Sequence, residues 1–449
     1  MSATKHIWII GMYDLIRQKL DALRRANECE FHPVLTYGET HGADAYHPDD
    51  MMNKAVDILD SAEEPIDAIV SFWDFPVMCM TPLLAERYGT TWHSLETILK
   101  CEHKYWSRCN QQEVIPEFVP EFCRFDPHDE KPREQIDLEY PFWIKPMISF
   151  GGHLGYKVES DEEFRKGIQG MRDGIDRFAK PFEYFAGRLP DDTDFPGMDG
   201  GFALAEKPME GNQCTVEGYS IDGDVRRHGI VDSHRFPNLS TFSRYQYPSN
   251  LPEDVHDRMS DASRTFMEHV GFDVGGWNIE YFHEPETGEI RLLEVNGRIS
   301  VSHSDLFDKV DGQSNHEVVI ASALGEEPDW RKGAGKYPVA GKFFVRKFTD
   351  GKIVRTPTAT QVQKVREIVP RTIVDVLVEP DTWLHDLQYQ ESYSYKLAAI
   401  YLGGRDEHDM LQRFQEVIGE LDFAVLTPEE IDSGQYEGSE LTQGAQQQT

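Results

Sequence analysis

The chain has 449 residues, too many for one ordinary domain, so two or three are expected. It carries 45 Lys and Arg against 79 Asp and Glu, a formal net charge of −34 and a pI near 4.8. A chain this acidic repels nucleic acid and anionic membranes, which excludes broad phosphate-backbone binding. The charge is spread along the length and reads as a strongly hydrated surface, in keeping with either a salt-rich cytoplasm or an ordinary acidic cytosol.

The opening MSATKHIWIIGMYD has too short an apolar run for a signal peptide. Within it HIWII (6–10) predicts a buried strand. Gly11 and an amphipathic helix, LIRQKLDALRRA, follow, with Leu15, Leu20 and Leu23 turned inward. FHPVLTY (31–37) and DAIVSFW (67–73) predict further strands, the second leading into a helix that ends near Tyr88–Gly89. This alternation predicts an open, mostly parallel α/β layer over 1–95. A helix carries EHKYWSRCNQQ, and VIPEFVPEF and PFWIKPM are short extended pieces around prolines. FALAEKPM and CTVEGYSIDGDVRRHGIVDSH predict strands, with a hairpin turn at Asp222–Gly223. WNIEYFH and IRLLEVN predict another hairpin across EPETGE. A third unit starts after Trp330, with strands in GKFFVRKF and YKLAAIYLGG, a turn at Asp350–Gly351 and a closing helix, EHDMLQRFQEVIGEL. The tail from Pro428 to Thr449 is rich in Glu, Gly, Ser and Gln and is expected to be disordered. There is no internal repeat and no apolar run of about 18 residues that would span a membrane. Six scattered cysteines without a CxxC pair point to reduced thiols and a cytoplasmic location.

The chemistry concentrates in RLLEVNGRIS (291–300), where Glu294, Asn296 and Arg298 alternate onto one strand face. With a turn centred on Thr287, Glu280 lies opposite Glu294. Like charges at that spacing destabilise a sheet unless a proton or a cation intervenes. Two carboxylates and an amide oxygen suit Mg²⁺ or Mn²⁺, and Arg298 reaches an anion held there. The bland alternative is a polar sheet face in water, and on the strand pattern alone the two readings are about even. PFWIKPMISFGGHLGYKV offers Lys145 before a loop with Gly151, Gly152 and Gly155, whose backbone N–H groups are able to approach phosphate. Walker A, GxGxxG, GxSxG and HExxH patterns are all lacking. FALAEKPMEGNQCTVEGY reads either as a plain hairpin or as a linker between two lobes that presents its backbone to an adenine edge.

In this order the pieces resemble the ATP-grasp superfamily, in particular its biotin-carboxylase-like carboxylate–amine ligases, over about residues 1–427. The resemblance implies three parts: a Rossmann-like N-terminal domain (1–95), a two-lobed ATP-grasp domain (96–330) and a small C-terminal α+β domain (331–427), then the tail (428–449). It also implies roles. Lys104 and Lys145 are similar to the phosphate-binding lysines, with Gly151, Gly152 and His153 in the loop over the phosphates. Glu206, Lys207 and Met209 match the adenine-contacting hinge, and Glu217 the acid near the ribose. Glu280, Glu294 and Asn296 match the metal ligands, and Arg298 matches the arginine beside the transferred phosphate. The implied reaction uses ATP and Mg²⁺ to activate a small-molecule carboxylate as an acyl phosphate for attack by an amine, and a homodimer is compatible with the family. Arg244, in SHRFPNLSTFSRYQYPSN, is the candidate for a second substrate contact.

Departures from the biotin carboxylases are specific. Ser302 stands where those enzymes carry a second Glu as base for bicarbonate, their four-glycine loop is absent, and no biotinyl segment such as AMKM occurs. His153 stands where many members have a smaller or basic residue. An ATP-dependent carboxylase and a catalytically inactive nucleotide-binding regulator are the alternatives. Retention of Glu280, Glu294, Asn296 and Arg298 together disfavours the second, because binding alone does not need all four.

Overall fold

The computed structural model describes residues 4–41, 45–149, 151–196, 200–236, 241–387 and 394–433. The chain falls into two compact units. The first comprises Met1–Gly229, Leu251–Val301 and Asn315–Trp330; the second comprises Ile230–Asn250, Ser302–Ser314 and the chain from Arg331 onward.

The first unit opens with β1 (Lys5–Met12), α1 (Asp14–Asp21), β2 (Cys29–Thr36), α2 (Tyr37–His41), α3 (Pro48–Asp60), β3 (Ala68–Ser71) and α4 (Val77–Tyr88). The strands form a parallel sheet in the order β2-β1-β3. Its core takes Ile7 and Ile9 of β1 together with Ile16 and Leu20 of α1. The helix is shorter than its apolar pattern suggests, so Leu15 is only half-buried and Leu23 packs from beyond the helix end. Gly89, at φ 68°, ends α4 at the expected place.

Two helices follow where the sequence suggested one: α5 (Leu95–Glu102) and α6 (Lys104–Val114). His103 separates them, with an extended backbone, and its Nδ1 accepts from the Trp106 N–H at 3.1 Å as the N-cap of α6. A small antiparallel sheet then forms from β4 (Phe122–Phe125), β5 (Phe142–Pro146), β6 (Tyr156–Val158) and β7 (Ala203–Glu206), in the order β4-β7-β5-β6. It buries Phe142 and Ile144 against Phe164, Ile168 and Met171 of α7 (Asp161–Gly174), which α8 (Asp176–Ala186) follows.

The turn at Asp222–Gly223 joins β8 (Asn212–Ile221) to β9 (Asp224–Arg235), and both turn residues have positive φ, as a tight hairpin needs. β7 and β8 lie in different sheets. The stretch FALAEKPMEGNQCTVEGY is therefore a linker between sheets and not a hairpin. The chain passes into the second unit along β9 and through β10 (Phe242–Tyr247), then returns with α9 (Glu253–His269), β11 (Gly275–Glu284) and β12 (Glu289–Asn296). In the first unit the order is β12-β11-β8-β9. After α10 (Ser304–Asp311) in the second unit, α11 (His316–Ala323) brings Val318 and Val319 to the first unit's core.

The second unit orders β9-β10-β13-β16-β15, using β13 (Val339–Lys347), β15 (Ile373–Val376) and β16 (Tyr395–Gly404). A separate pair joins β14 (Lys352–Arg355) to β17 (Ala424–Leu426). α12 (Ala359–Ile368) and α13 (Glu407–Glu420) complete its core, in which the Phe343 and Phe414 rings stack at 4.2 Å. The start of the expected disordered tail is a short helix, α14 (Pro428–Ser433); residues 434–449 lie outside the described residues. All six cysteines are free. Among the described residues no helix is long and apolar enough to cross a membrane.

Candidate functional site

Glu280 on β11 stands directly opposite Glu294 on β12, as the sequence pattern required. The reason is a bulge. The turn pairs Glu284 with Glu289, and from that start a regular ladder would set Glu280 against Leu293. A register shift between Glu280 and Tyr281 advances β12 by one residue and brings Glu294 into place. Arg108 on α6 holds the bulge. Its guanidinium donates to the carbonyls of Leu292 at 2.9 Å and Leu293 at 2.8 Å, and to the Glu206 carboxylate at 3.0 Å. Arg108 and Glu206 are both almost fully buried, so each removes the desolvation problem of the other.

Around the carboxylate pair the cations converge. Lys104 opens α6, its backbone N–H donating to the Met147 carbonyl at 3.0 Å. Its Nζ reaches Glu294 at 2.9 Å and the Ser149 carbonyl at 2.9 Å. Lys145, on β5, pairs with Glu206. Both lysines line one cleft with Arg108, Glu206 and Glu294. Burial works against the Glu294 charge, but Lys104, Lys145 and Arg298 outweigh it and hold its carboxyl below the usual carboxylate range. Gln213 donates to Glu280 at 2.7 Å. Asn296 donates to Asn278 at 3.0 Å and accepts from Arg298 at 3.2 Å. Two opposed carboxylates with a nearby amide oxygen form an all-oxygen donor set, which fits a hard divalent cation.

Arg298 is fixed by Asp74, which accepts from its Nε at 2.5 Å. Asp74 follows β3, at the carboxyl end of the parallel sheet, where open α/β sheets place functional groups. Glu102, two residues before Lys104, lies in the same charge field. Burial first, then Asp74 and Glu294, pushes its carboxyl up to about 8 against the pull of Arg298 and Lys104. Sequence reasoning missed Asp74, Glu102 and Arg108. The only available signal was the four-residue spacing of Lys104 and Arg108 on one helix face.

The remaining candidates are placed as follows. Gly151 and Gly152, in the turn between β5 and β6, have φ of 61° and 73°. A Cβ at either would meet no atom within 4 Å, so backbone conformation alone calls for glycine there. The His153 ring packs edge-on against Phe178 at 5.4 Å. Glu206, expected to face adenine, is turned into the Arg108–Lys145 cluster. The Lys207 N–H donates to the Glu121 carbonyl at 3.0 Å. Among the described residues no hydrogen bond involves the Lys207 carbonyl or the Met209 N–H. Glu217, expected beside the ribose, is fully buried; it accepts from the Ser300 N–H at 3.2 Å and the Asn315 amide at 3.4 Å, pinning the segment after Arg298. Arg244 belongs to the second unit, is 7% exposed, and is committed to Glu407 and Gln246.

The family described as "Carbamoyl-phosphate synthase L chain, ATP binding domain" matches residues 247–327, the segment that holds Glu280, Glu294, Asn296 and Arg298. The fold is similar to that of an L-amino acid ligase from Bacillus licheniformis, with a TM-score of 0.73 at 17% identity over 94% of this chain and 99% of the other. The chain has the ATP-grasp fold. The same ATP-grasp architecture is seen in a biotin carboxylase from Campylobacter jejuni, with a TM-score of 0.62 at 13% identity over 98% of both chains. In sequence, the carbamoyl phosphate synthase large chain of Xylella fastidiosa is 31% identical over 93 residues, which is 20% of this ATP-grasp chain and 8% of that protein. The chain thus spans under a tenth of that relative.

Proposed function

We propose that this ATP-grasp chain is an ATP-dependent ligase that activates a small-molecule carboxylate as an acyl phosphate and joins it to an amine, such as that of an amino acid. The observation that carries this reading is the register of Glu280 against Glu294, with Asn296 and Arg298 following on the same strand and its continuation and two lysines beside them. Glu280, Glu294 and Asn296 would hold Mg²⁺ or Mn²⁺. Bound there, the cation would supply positive charge that neutralises the terminal phosphates of ATP.

The chain's own groups do the rest. Lys104 and Glu294 pair in the structure, so each charge is held ready for a partner of opposite sign. Lys104 would turn to the phosphate oxygens of bound ATP, which leaves the Glu294 carboxylate free as one of the groups that would hold the cation. Lys145 and the loop amides at Gly151, Gly152 and His153 cover the phosphates and keep water from the acyl phosphate. The Lys207 carbonyl and the Met209 N–H read the adenine edge. Arg298, oriented by Asp74 and Asn296, holds the substrate carboxylate as the γ-phosphoryl group passes to it. The amine then attacks the acyl carbon, phosphate leaves, and the amine proton is lost as the amide forms. Ser302 at the position of the bicarbonate base supports an amine acceptor over bicarbonate.

The test is ADP release across a library of carboxylates and amines. Release that needs both a carboxylate and an amine is expected. Glu294→Gln should abolish it, a fall of at least about a thousand-fold, because metal and phosphate charge is then uncompensated in the transition state. Its melting temperature should stay close to that of the parent. Undiminished turnover in Glu294→Gln, or ADP release that depends on bicarbonate alone, would overturn the assignment.

A further inference from the structure

Far along the chain from the nucleotide-site residues, the central strand and one edge strand of the parallel sheet carry a second set of donors. In the β1–β2 register His6 lies beside Glu30 and Trp8 beside His32. Residues 6 and 8, and 30 and 32, share one face, the opposite face to Ile7 and Ile9, which fill the core. The His6 Nδ1 lies 3.0 Å from the His32 Nε2 and 3.9 Å from the Glu30 Oε2. One donor atom from each residue fits within 4.8 Å of the others.

We propose that His6, Glu30 and His32 form a binding site for a zinc-class divalent transition metal. Tetrahedral Zn²⁺ with bonds of about 2.0–2.2 Å holds its ligand atoms about 3.3–3.5 Å apart, and the two measured separations bracket that value. The ligand set is two imidazoles and one carboxylate, the composition of an open site that leaves a fourth position to water. The rings are pre-oriented. The Trp8 indole stacks on His32 at 4.6 Å and an interplanar angle of 22°, and its N–H is tied to the Pro65 carbonyl at 3.1 Å. The His6 and His32 rings stack at 23°. The His6 backbone N–H is held by Asp67 at 2.8 Å. Glu30 is the exposed member, with its side chain 57% accessible, and provides the entry path. Because β2 is an edge strand, a metal here would clamp the edge to the central strand.

The experiment is a titration of the metal-free full chain with Zn²⁺ at pH 7.5 against a chromophoric chelator, repeated with Co²⁺ to read its ligand-field absorption. Glu294→Gln serves as the background, so that zinc at the nucleotide site does not contribute. One site of micromolar or tighter affinity is expected, with a tetrahedral cobalt spectrum and a rise in melting temperature on adding zinc. His32→Gln and His6→Gln should each weaken that site at least ten-fold and abolish the zinc-dependent rise, while melting like the parent without metal. Equal zinc stoichiometry and affinity in the parent and in His32→Gln would overturn the proposal. So would the absence of any zinc-dependent shift in the parent, which would leave the pair as a simple imidazole–imidazole hydrogen bond.

Discussion

At the scale of the residue, buried histidines such as His93 and His103 make the fold sensitive to acid. His93 is 4% exposed and its Nδ1 lies 2.7 Å from the Val274 carbonyl; His103 is fully buried at the start of α6. Burial lowers the pKa of His93 to about 4, partly countered by the carbonyl, and burial with Lys104 lowers that of His103 to about 3. Below its ordinary value of about 6.5 the unfolded chain takes up a proton that the folded chain refuses. The contribution to stability is therefore complete above pH 6.5 and is lost as the pH falls through 6.5 toward each folded value. The full loss is on the order of 3 kcal/mol for His93 and on the order of 5 kcal/mol for His103. Urea unfolding between pH 7.5 and 4.5 should show this slope, and His93→Asn, which keeps a donor for the carbonyl, should flatten it. An equally steep slope in the variant would mean that other groups carry the acid sensitivity. The candidate site residues were legible one by one: Glu294, Asn296 and Arg298 from period-two alternation, and Glu280 from the turn register. Asp74 was not. It is 224 positions from Arg298 in the chain, and only folding brings them together.

At the scale of the element, close approach decides more than propensity does. Gly218 on β8 pairs with Trp277 on β11, and a Cβ there would lie 2.0 Å from the indole Cζ2. Trp277 is 1% exposed and has no room to withdraw. Gly218→Ala should destabilise the protein by about 3 kcal/mol through overpacking, measured by urea unfolding. Gly152→Ala, with open space around its Cβ, should cost only the left-handed backbone strain, about 1 kcal/mol. Similar losses in both would refute the packing account. The β11–β12 hairpin makes the same point about legibility. A turn centred on Thr287 correctly predicted Glu280 opposite Glu294, yet the ladder adjoining the turn is offset by one residue from that centre. The bulge restores the pairing, and the bulge carbonyls are satisfied by Arg108 from a distant helix. The glycine pair after β5 was likewise legible as a turn. The break at His103 was not, because a histidine cap carries little signal inside a helical pattern.

At the scale of the whole molecule, a net charge of −34 means that folding concentrates like charge. Salt screens this repulsion, whose range falls from about 10 Å at 0.1 M to about 3 Å at 1 M. The melting temperature should therefore rise steadily in KCl between those concentrations. A flat or falling response would show that surface ion pairs such as Lys166–Glu162 and Arg17–Asp21 offset the repulsion locally. The sequence by itself determined most of the order of strands and helices, the acidic composition and the alternation of Glu294, Asn296 and Arg298, because these depend on local periodicity, turn chemistry and composition. Tertiary structure alone decided that Glu206 and Glu217 are buried anchors, that Arg108 secures the bulge, that Asp74 orients Arg298, and that His6, Glu30 and His32 meet. Those outcomes depend on which distant segments share a desolvated space. There a charge must find a partner, and the partner is fixed by packing and not by sequence spacing.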